Sequence, residues 1–445
     1  MYKVLDIIEI LKFQIKKTIN IKNNDRFKDI SWISNKKIKK GLFIALKGKN
    51  TDGHLFVEDA YKNGYRLFLL HKIIVLPKEA KILLCEDTSI AFDLLARWGS
   101  QKFKGKFIGI TGVAGKTSTT YLLANILQDY GYKVTYTFKY NTTHYLRHLL
   151  FSIASSDSDY CILELSSDGL GHIKYLGTLV DLYMSIIVSL GKSHLDGMKN
   201  EKGVYKEKLS IGSFTKNYLF INKKYEKNIN EYKLNNLYKN IKYIDINYQK
   251  QKDKYILYIS NEKIIINKSN YNIENIILIL NLLKNMNIDI QKTLITIENI
   301  CVFINRGNII HYKNKNYDFI FHMYTHNANP ISFINNIKYM NTLNVKYLCI
   351  KTDLLELNKD KKIENQKLFK FLVEKNENLL YIIQILKDTS YKFISTKKLI
   401  DHENIPNLIN ILKENNIQHI FVQGNRIIKL ERYVEKIFNY LDTTE

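Results

Sequence analysis

The sequence predicts an α/β protein of three domains, the central one built on a mostly parallel sheet. The chain has 445 residues, which is too long for one ordinary core and suggests about two to four domains. Short apolar runs alternate with segments of helical period in the first, middle and last parts of the chain. Only three prolines occur, which argues against long Pro-rich or disordered linkers.

The first predicted domain covers residues 1–104. GLFIALKG and RLFLLH are predicted strands, while VEDAYKNG and SIAFDLLARWGSQ have helical periodicity. The basic connector QKFKGK leads to FIGITG, an apolar run that ends in glycine. The helix-period segment TSTTYLLANILQDYG follows and closes on Gly131. The second domain, 105–308, is therefore predicted to begin with a strand, a turn and a helix.

Further strands are predicted at YCILEL, YMSIIVSL and NYLFIN, separated by helical or loop segments. This order favours a parallel sheet with helices on both faces. Residues 223–300 fit helix and strand about equally well, except for the helical IENIILILNLLKNM. Residues 309–445 form a third, Rossmann-like domain. Its predicted strands are YDFIFHMY, KYLCIKT, YKFIST and HIFVQG, and its closing helix is IKLERYVEKIFNYL.

The net charge is +24, from 67 Lys and Arg against 43 Asp and Glu, a balance that raises nucleic acid or an anionic membrane as a partner. The lysines are spread along the chain among Asn, Ile and Tyr rather than gathered into one patch. We therefore predict no nucleic-acid partner and no membrane partner, and we expect a monomer.

The cysteines are far apart and show no C-x-x-C spacing, which favours a reducing compartment and buried, inert thiols; they are Cys85, Cys161, Cys301 and Cys349. The apolar N-terminal stretch contains Asp6 and Glu9 and has no small-residue cleavage site. No later run reaches the roughly eighteen apolar residues of a membrane span. A cytoplasmic location is the expectation.

A glycine-rich stretch, GITGVAGKT at residues 109–117, stands where a predicted strand turns into a helix. Glycines let backbone N–H groups close around phosphate oxygens, and a helix N-terminus adds partial positive charge. Lys116 can reach the β- and γ-phosphates, and Thr117 can ligate Mg²⁺. The strict G-x-x-x-x-G-K-[ST] pattern is not met, because its first glycine falls on Ile110. An ordinary glycine-rich turn is the alternative.

TGVAGKTST resembles the TGxxGKT[ST] loop of the Mur ligases, and the likeness continues in order along nearly the whole chain. ALKGKNTDGHLFVEDA is similar to the family's N-terminal UDP-sugar-binding domain. LELSSDGLGHIKYL and SLGKSHLDGMKNEKGVYKEKLSIG are similar to two motif regions of its central ATP-binding domain. HNANP, TDLLELN and FVQGNR are similar to its C-terminal ligase domain. The resemblance implies an ATP-dependent, ADP-forming ligase that joins a carboxylate to an amine.

Two activities within the family fit the motifs. NANP and the pairing of LLEL with QGNR resemble members that add D-alanyl-D-alanine to UDP-N-acetylmuramoyl-tripeptide. That step belongs to peptidoglycan precursor synthesis, and through it to cell wall biogenesis, cell shape and cell division. SSDGL and the spacing from SHLDG to Lys208 look at least as much like members that add the preceding, third amino acid. The implied partners are thus a UDP-muramoyl-peptide and an amino acid or dipeptide. A P-loop ATPase acting on an anionic partner and a non-catalytic relic are the rival hypotheses.

The resemblance also assigns roles to single residues, with ATP and Mg²⁺ as cofactors. The residues implied in ATP binding are Gly112, Gly115, Lys116, Thr117, Ser118, Arg306 and Asn327. Those implied in Mg²⁺ binding are Thr117, Glu164, His194 and Lys208, the last as a carbamylated lysine. Lys116, His194 and Lys208 are the implied catalytic residues. In the implied mechanism, the γ-phosphate of ATP activates the substrate carboxylate as an acyl phosphate, which the incoming amine attacks.

Without the resemblance, three of these residues have a simpler structural explanation. Glu164 ends a predicted strand and would otherwise be a strand-end surface carboxylate. A single histidine such as His194 is more often structural than a ligand. Any one lysine in this lysine-rich chain, Lys208 included, would ordinarily be a solvated surface charge.

Several positions depart from the family pattern. The Asp-Ser-Arg expected near the uridine site is Ile33-Ser34-Asn35. The paired acidic residues expected before NANP are Met323 and Tyr324, and the lysine expected before Gly424 is Gln423. These departures put the UDP-sugar substrate in question more than they do ATP binding.

Overall fold

The computed structural model describes the chain except residues 49–50, 138–141, 236–237, 239, 252–253, 260–261, 268–270, 301–307, 326–327, 353, 355–360, 375, 377, 386–403, 425–427 and 445. Its strands and helices form three α/β domains, as the sequence predicts.

The N-terminal domain is a five-stranded sheet with three helices. Its strands are β1 (Tyr2–Lys3), β2 (Ile15–Ile19), β3 (Arg26–Phe27), β4 (Asp29–Ser31), β5 (Gly41–Ile44), β6 (Leu67–Leu70) and β7 (Lys81–Cys85). Its helices are α1 (Val4–Ile10), α2 (Val57–Lys62) and α3 (Thr88–Lys102). The sheet order is β2-β7-β6-β5-β4, with only β2 antiparallel to its neighbour, and β1 pairs with β3 outside it.

The central domain contains the longest sheet. Its strands are β8 (Lys106–Thr111), β9 (Val134–Tyr136), β10 (Tyr160–Glu164), β11 (Met184–Ile187), β12 (Leu219–Asn222), β13 (Ile241–Ile244), β14 (Tyr248–Gln251), β15 (Lys254–Ile259) and β16 (Glu262–Ile266). Its helices are α4 (Lys116–Asp129), α5 (Thr143–Ser152), α6 (His172–Leu176), α7 (Leu195–Met198), α8 (Glu201–Leu209), α9 (Glu226–Glu231), α10 (Ile273–Asn285) and α11 (Leu294–Asn299).

The six strands of the central sheet are all parallel, in the order β13-β12-β11-β8-β10-β9. Helices α4 and α10 pack on one face, and α5, α6 and α8 pack on the other. The carboxyl ends of β10 and β11 therefore lie on either side of the carboxyl end of β8. The predicted parallel sheet with helices on both faces is confirmed, and ligands of such sheets bind at this edge.

Strands β14, β15 and β16 form a separate antiparallel sheet within the stretch that the sequence pattern left ambiguous. The predicted helix after them is confirmed as α10, which Asn272 caps by accepting the N–H groups of Glu274 and Asn275. Eight of its residues are buried, because α10 lies between the central sheet and the small sheet.

The C-terminal domain is a five-stranded sheet in the order β17-β18-β21-β19-β20. Its strands are β17 (Asn308–Lys313), β18 (Asp318–Tyr324), β19 (Tyr347–Thr352), β20 (Leu379–Ile385) and β21 (His419–Gln423). Its helices are α12 (Pro330–Thr342), α13 (Lys361–Glu374), α14 (Ile405–Glu414) and α15 (Leu430–Thr443). All pairs except β17 with β18 are parallel. The predicted strand YKFIST lies outside the described residues, and β20 was not predicted.

Both junctions between domains are closely packed. Helix α3 crosses α5 so tightly that a Cβ on Gly99 would lie 2.1 Å from the Leu150 carbonyl oxygen. At the other junction, one apolar cluster contains Val113 and Met198 of the central domain with Phe333 of the C-terminal domain. The three domains thus meet through apolar cores.

The described cysteines, Cys85, Cys161 and Cys349, are free and buried, as predicted. Burial raises the pKa of the Cys85 and Cys349 thiols to about 12 and also raises that of Cys161, so these thiols are inert at neutral pH. Cys301 lies outside the described residues. Among the helices that the structure describes, none has the length and apolar character needed to cross a membrane.

Candidate active site

The glycine-rich loop leaves the end of β8 and enters α4 as predicted. Gly112 and Gly115 have φ of 148° and 83°, in the region that favours glycine. The N–H of Val113 donates to the carbonyl oxygen of Ser189 (3.0 Å), and the N–H of Ala114 donates to its Oγ (2.8 Å). Ser189 follows β11, so the neighbouring strand end fixes the path of the loop.

Lys116 and Ser118 stand in the first turn of α4 and line the same cavity as the loop. The Lys116 Nζ donates to the carbonyl oxygen of Gly112 at 3.0 Å, which folds the side chain back across the loop. The first turn of α4 supplies N–H groups and the positive end of the helix dipole at this point. The arrangement suits a polyphosphate anion.

Thr117 and Glu164 come together from different elements. The Thr117 Oγ1 donates to Glu164 Oε2 at 2.5 Å, and Ser166 Oγ donates to Glu164 Oε1 at 3.3 Å. Glu164 ends β10 and is only 5% exposed, so the surface-carboxylate alternative is wrong.

Within the described part of the chain, no group of three or more His, Cys, Asp and Glu residues forms a ready metal cage. Mg²⁺ usually combines one or two carboxylates with substrate phosphates and water. The buried carboxylate of Glu164 and the hydroxyl of Thr117, beside the glycine-rich loop, fit that kind of site.

Lys208 lies inside the protein, and the surface-charge alternative is wrong for it too. Lys208 is 2% exposed, and its Nζ donates to Ser167 Oγ at 2.8 Å. Burial, followed by the positive charge of Lys116, lowers the pKa of Lys208 to about 7, against the opposing effect of nearby carboxylates including Glu164. A lysine with such a pKa is partly a neutral amine at physiological pH.

His194 follows β11 at the start of α7, with a left-handed φ of 48°. Its carbonyl oxygen accepts the N–H groups of Gly197 (3.1 Å) and Met198 (3.0 Å). The Gly197 carbonyl oxygen in turn accepts the N–H of Leu170, from the chain that follows Glu164 (3.3 Å). The structure thus connects the backbone of His194 to the segment that carries Ser166 and Ser167.

A cavity of about 440 Å³ opens beside the loop, between α10 of the central domain and α12 of the C-terminal domain. Four lysines and one glutamate line it: Lys116, Lys224, Lys250, Lys338 and Glu274. This excess of positive charge suits a nucleotide polyphosphate. Several tyrosines also line it, including Tyr225 and Tyr271, and aromatic faces can pack against a base.

Asn272 and Asn275 belong to this cavity but were not predicted as site residues. Asn275 lies so close to the loop that a Cβ on Gly115 would be 2.6 Å from its Nδ2. An asparagine before a helical run is itself a cap signal, so sequence alone indicates only the structural part of the role of Asn272.

Arg306 and Asn327, both implied in nucleotide binding, lie outside the described residues. The neighbouring Asn329 caps α12 and donates from Nδ2 to the Val113 carbonyl oxygen at 3.3 Å. The C-terminal domain therefore contacts the glycine-rich loop directly. At the departing position Gln423, the buried side chain amide donates to Ser332 Oγ (3.2 Å) and accepts from Asn336 (3.1 Å), both on α12.

An α/β domain whose main sheet is all parallel, with a glycine-rich loop, a buried carboxylate and a buried lysine at one edge of that sheet, is typical of nucleotide-dependent enzymes of the P-loop type. Residues 110–297 match the model of the Mur ligase middle domain. UDP-N-acetylmuramoyl-tripeptide--D-alanyl-D-alanine ligase of Buchnera aphidicola subsp. Baizongia pistaciae is 28% identical over 418 residues, 89% of each chain. UDP-N-acetylmuramoyl-L-alanyl-D-glutamate--2,6-diaminopimelate ligase of Clostridium tetani is 30% identical over 226 residues, 46% of each chain.

A crystal structure of MurF from Acinetobacter baumannii superposes with a TM-score of 0.83 at 18% identity, covering 98% of this chain and 99% of that one. MurF ligase from Thermotoga maritima in complex with ADP gives a TM-score of 0.78 at 19% identity, covering 94% and 99%. At these identities the structural likeness shows the fold alone. Residues 110–297 therefore match a Mur ligase middle domain, and the chain as a whole is similar to a Mur ligase along 89% of its length.

Proposed function

We propose that this protein is an ATP-dependent, ADP-forming ligase that adds D-alanyl-D-alanine to UDP-N-acetylmuramoyl-tripeptide. The observation that carries the proposal is the likeness to a ligase of that name along 89% of both chains. The Clostridium tetani relative, which would support addition of the third amino acid instead, matches over only 46% of each chain. Residues 1–104 would bind the UDP-sugar, residues 105–308 would bind ATP, and residues 309–445 would complete the ligase site.

The described contacts support a phosphoryl-transfer role for the central domain. The first turn of α4 would hold the phosphates, and the Lys116 ammonium would neutralise charge on the phosphoryl group being transferred. A substrate carboxylate oxygen attacks the γ-phosphorus and ADP leaves, which gives an acyl phosphate. The amine then attacks the acyl carbon, loses a proton and releases inorganic phosphate. The hydrogen bond from the Lys116 Nζ to the Gly112 carbonyl oxygen (3.0 Å) supports this role, because it keeps the ammonium at the glycine-rich loop.

Mg²⁺ would be held by Thr117, Glu164 and Lys208, and when bound it would neutralise negative charge on the phosphate oxygens. For Lys208 this requires carbamylation, in which the neutral amine adds CO₂ and releases a proton to give a carbamate. Burial among protein atoms and a pKa of about 7 support this, because the reaction needs the unprotonated amine. His194, half-buried at the start of α7, would act beside this group.

The test is a phosphate-release assay with ATP, UDP-N-acetylmuramoyl-tripeptide and D-alanyl-D-alanine. Phosphate should appear only when both the tripeptide and the dipeptide are present, and mass spectrometry should find the pentapeptide product. Release with UDP-N-acetylmuramoyl-dipeptide and a single amino acid would move the assignment to the preceding step. Hydrolysis that needs no amine and rises with added nucleic acid would overturn the ligase proposal.

A further inference from the structure

Helix α8 carries two buried charged residues side by side, Glu207 and Lys208, each 2% exposed. Lys208 belongs to the candidate active site, whereas Glu207 has no role in the mechanism above. A buried carboxylate is costly unless hydrogen bonds or cations compensate it. The partners of Glu207 therefore indicate what it does.

Both carboxylate oxygens of Glu207 accept backbone N–H groups of one segment. Oε2 accepts from Gly171 and Oε1 from Ile173, each at 2.6 Å. Gly171 has a φ of 85° and is the N-cap residue just before α6, so Glu207 accepts N–H groups at the start of that helix from a different element. Charge-assisted bonds of this length are among the stronger contacts within a protein. Glu207 thus fixes the end of the chain segment that follows β10.

The segment it fixes, residues 166–171, will be called the serine loop. Ser166 donates to Glu164, and Ser167 accepts from the Lys208 Nζ. On the other side, a Cβ on Gly197 would lie 1.8 Å from the Asp168 carbonyl oxygen, so α7 leaves no room for the serine loop to move that way. Glu207 on α8 and Gly197 on α7 therefore hold the serine loop between them.

We propose that Glu207 is a positioning residue for the ligase reaction. By anchoring the serine loop, it sets Ser167 against the amine of Lys208 and Ser166 against the carboxylate of Glu164. This inference rests on the proposed function. A shift of about 1 Å in the serine loop would lengthen the 2.8 Å contact of Lys208 beyond hydrogen-bonding distance, and a misplacement of that size can lower turnover by up to about 100-fold.

Two substitutions separate positioning from charge. Glu207→Asp keeps the negative charge beside Lys208 but withdraws the oxygens by about 1.5 Å, too far to accept both N–H groups. Glu207→Gln keeps the reach but turns one acceptor into a donor that faces an N–H group. Positioning predicts that both variants lose about 10- to 100-fold in kcat while the KM for ATP changes less than about threefold. The exposed Glu231→Gln on α9 is the matched control and should behave as wild type.

Rates are measured well below the unfolding transition of each variant, with the folded fraction checked by circular dichroism. A Ser167→Ala variant and its double mutant with Glu207→Gln complete a cycle. If Glu207 acts through the serine loop, the double mutant loses little more than the worse single variant. Multiplicative losses in that cycle, or normal kcat in both Glu207 variants, would overturn the proposal. A wild-type protein without ligation would instead count against the proposed function.

Discussion

Replacing Gly115 with alanine is the sharpest test of the proposed phosphate binding by the glycine-rich loop, because Gly131, just past the other end of α4, supplies a matched control. Gly115 is the N-cap residue just before α4 and has a φ of 83°, a conformation that costs an L-residue about 1–2 kcal/mol. The new Cβ would also lie 2.6 Å from Asn275 Nδ2, so that side chain would have to move. Both residues line the cavity proposed to bind ATP.

Gly131 follows the other end of α4 with a φ of 103°, and a Cβ there meets nothing within 4 Å. Gly131→Ala therefore carries the same kind of backbone strain without any contact at the loop. We expect Gly131→Ala to lose about 1–2 kcal/mol of unfolding free energy, and Gly115→Ala to lose at least as much because of the added clash with Asn275. Gly115→Ala alone should also weaken ATP binding at least tenfold, which corresponds to about 1.4 kcal/mol or more.

Calorimetric titration with a non-hydrolysable ATP analogue gives the affinities, and urea unfolding gives the stabilities. A third variant, Gly115→Ala combined with Asn275→Ala, removes the clash but keeps the strain, so any recovery of stability measures the clash. If Gly115→Ala binds the analogue as tightly as Gly131→Ala does, this loop does not hold the phosphates.

Lys116→Ala should abolish ligation and leave the urea midpoint unchanged, because the ammonium serves phosphate charge; near-normal turnover would contradict the loop assignment. Lys208→Ala should be inactive and regain some turnover with an added small carboxylic acid, whereas full activity without the additive would exclude a carbamate role. Burial lowers the pKa of His322 from 6.5 to about 4. Between these two values the unfolded chain binds a proton on this histidine and the folded protein does not, so the free energy of unfolding falls as the pH falls from 6.5 towards 4. From pH 7.5 to pH 5 the free energy of unfolding, measured in urea, should therefore fall by about 2 kcal/mol less in His322→Gln than in wild type. An equal fall in both proteins would show that His322 is not the group responsible.

The strand, glycine-rich loop and helix of residues 106–131 could be predicted because their signals are local. The apolar run, the glycines and the helical period of residues 106–131 specify β8, the turn and α4 without reference to the rest of the chain. The burial of Lys208 could not be predicted in this way, because it depends on the serine loop, which comes from an earlier part of the chain. Only the family resemblance singled out this lysine.

The small antiparallel sheet escaped prediction for a different reason. Strand β16 buries only Ile264 and Ile266, and charged or polar residues separate the apolar positions of β14 and β15 unevenly. Such half-buried strands give no clear period of two. The cavity could not be predicted either, because Tyr248 and Tyr255 of this sheet are far from the glycine-rich loop in sequence and line the same cavity only in the folded chain.

The departures from the family pattern in the C-terminal domain are related to one another in the structure. Tyr324 and Gln423 are direct cross-strand partners on β18 and β21, and Met323 lies beside them opposite Val422. The resemblance places an acidic residue at position 324 and a lysine at position 423, so these two changes remove opposite charges from paired positions. The acidic residue expected at position 323 would lie on the other face of the sheet. Either change alone would leave a buried charge without its counterion, at a cost of several kcal/mol. Gln423 instead satisfies its amide with Ser332 and Asn336 on α12, the helix whose cap contacts the glycine-rich loop. The charges expected at positions 324 and 423 are thus lost together, and a neutral side chain makes the contact to α12. This argues for a coupled exchange that preserves the domain junction. It argues against the relic hypothesis, since a relic would not need to keep that junction.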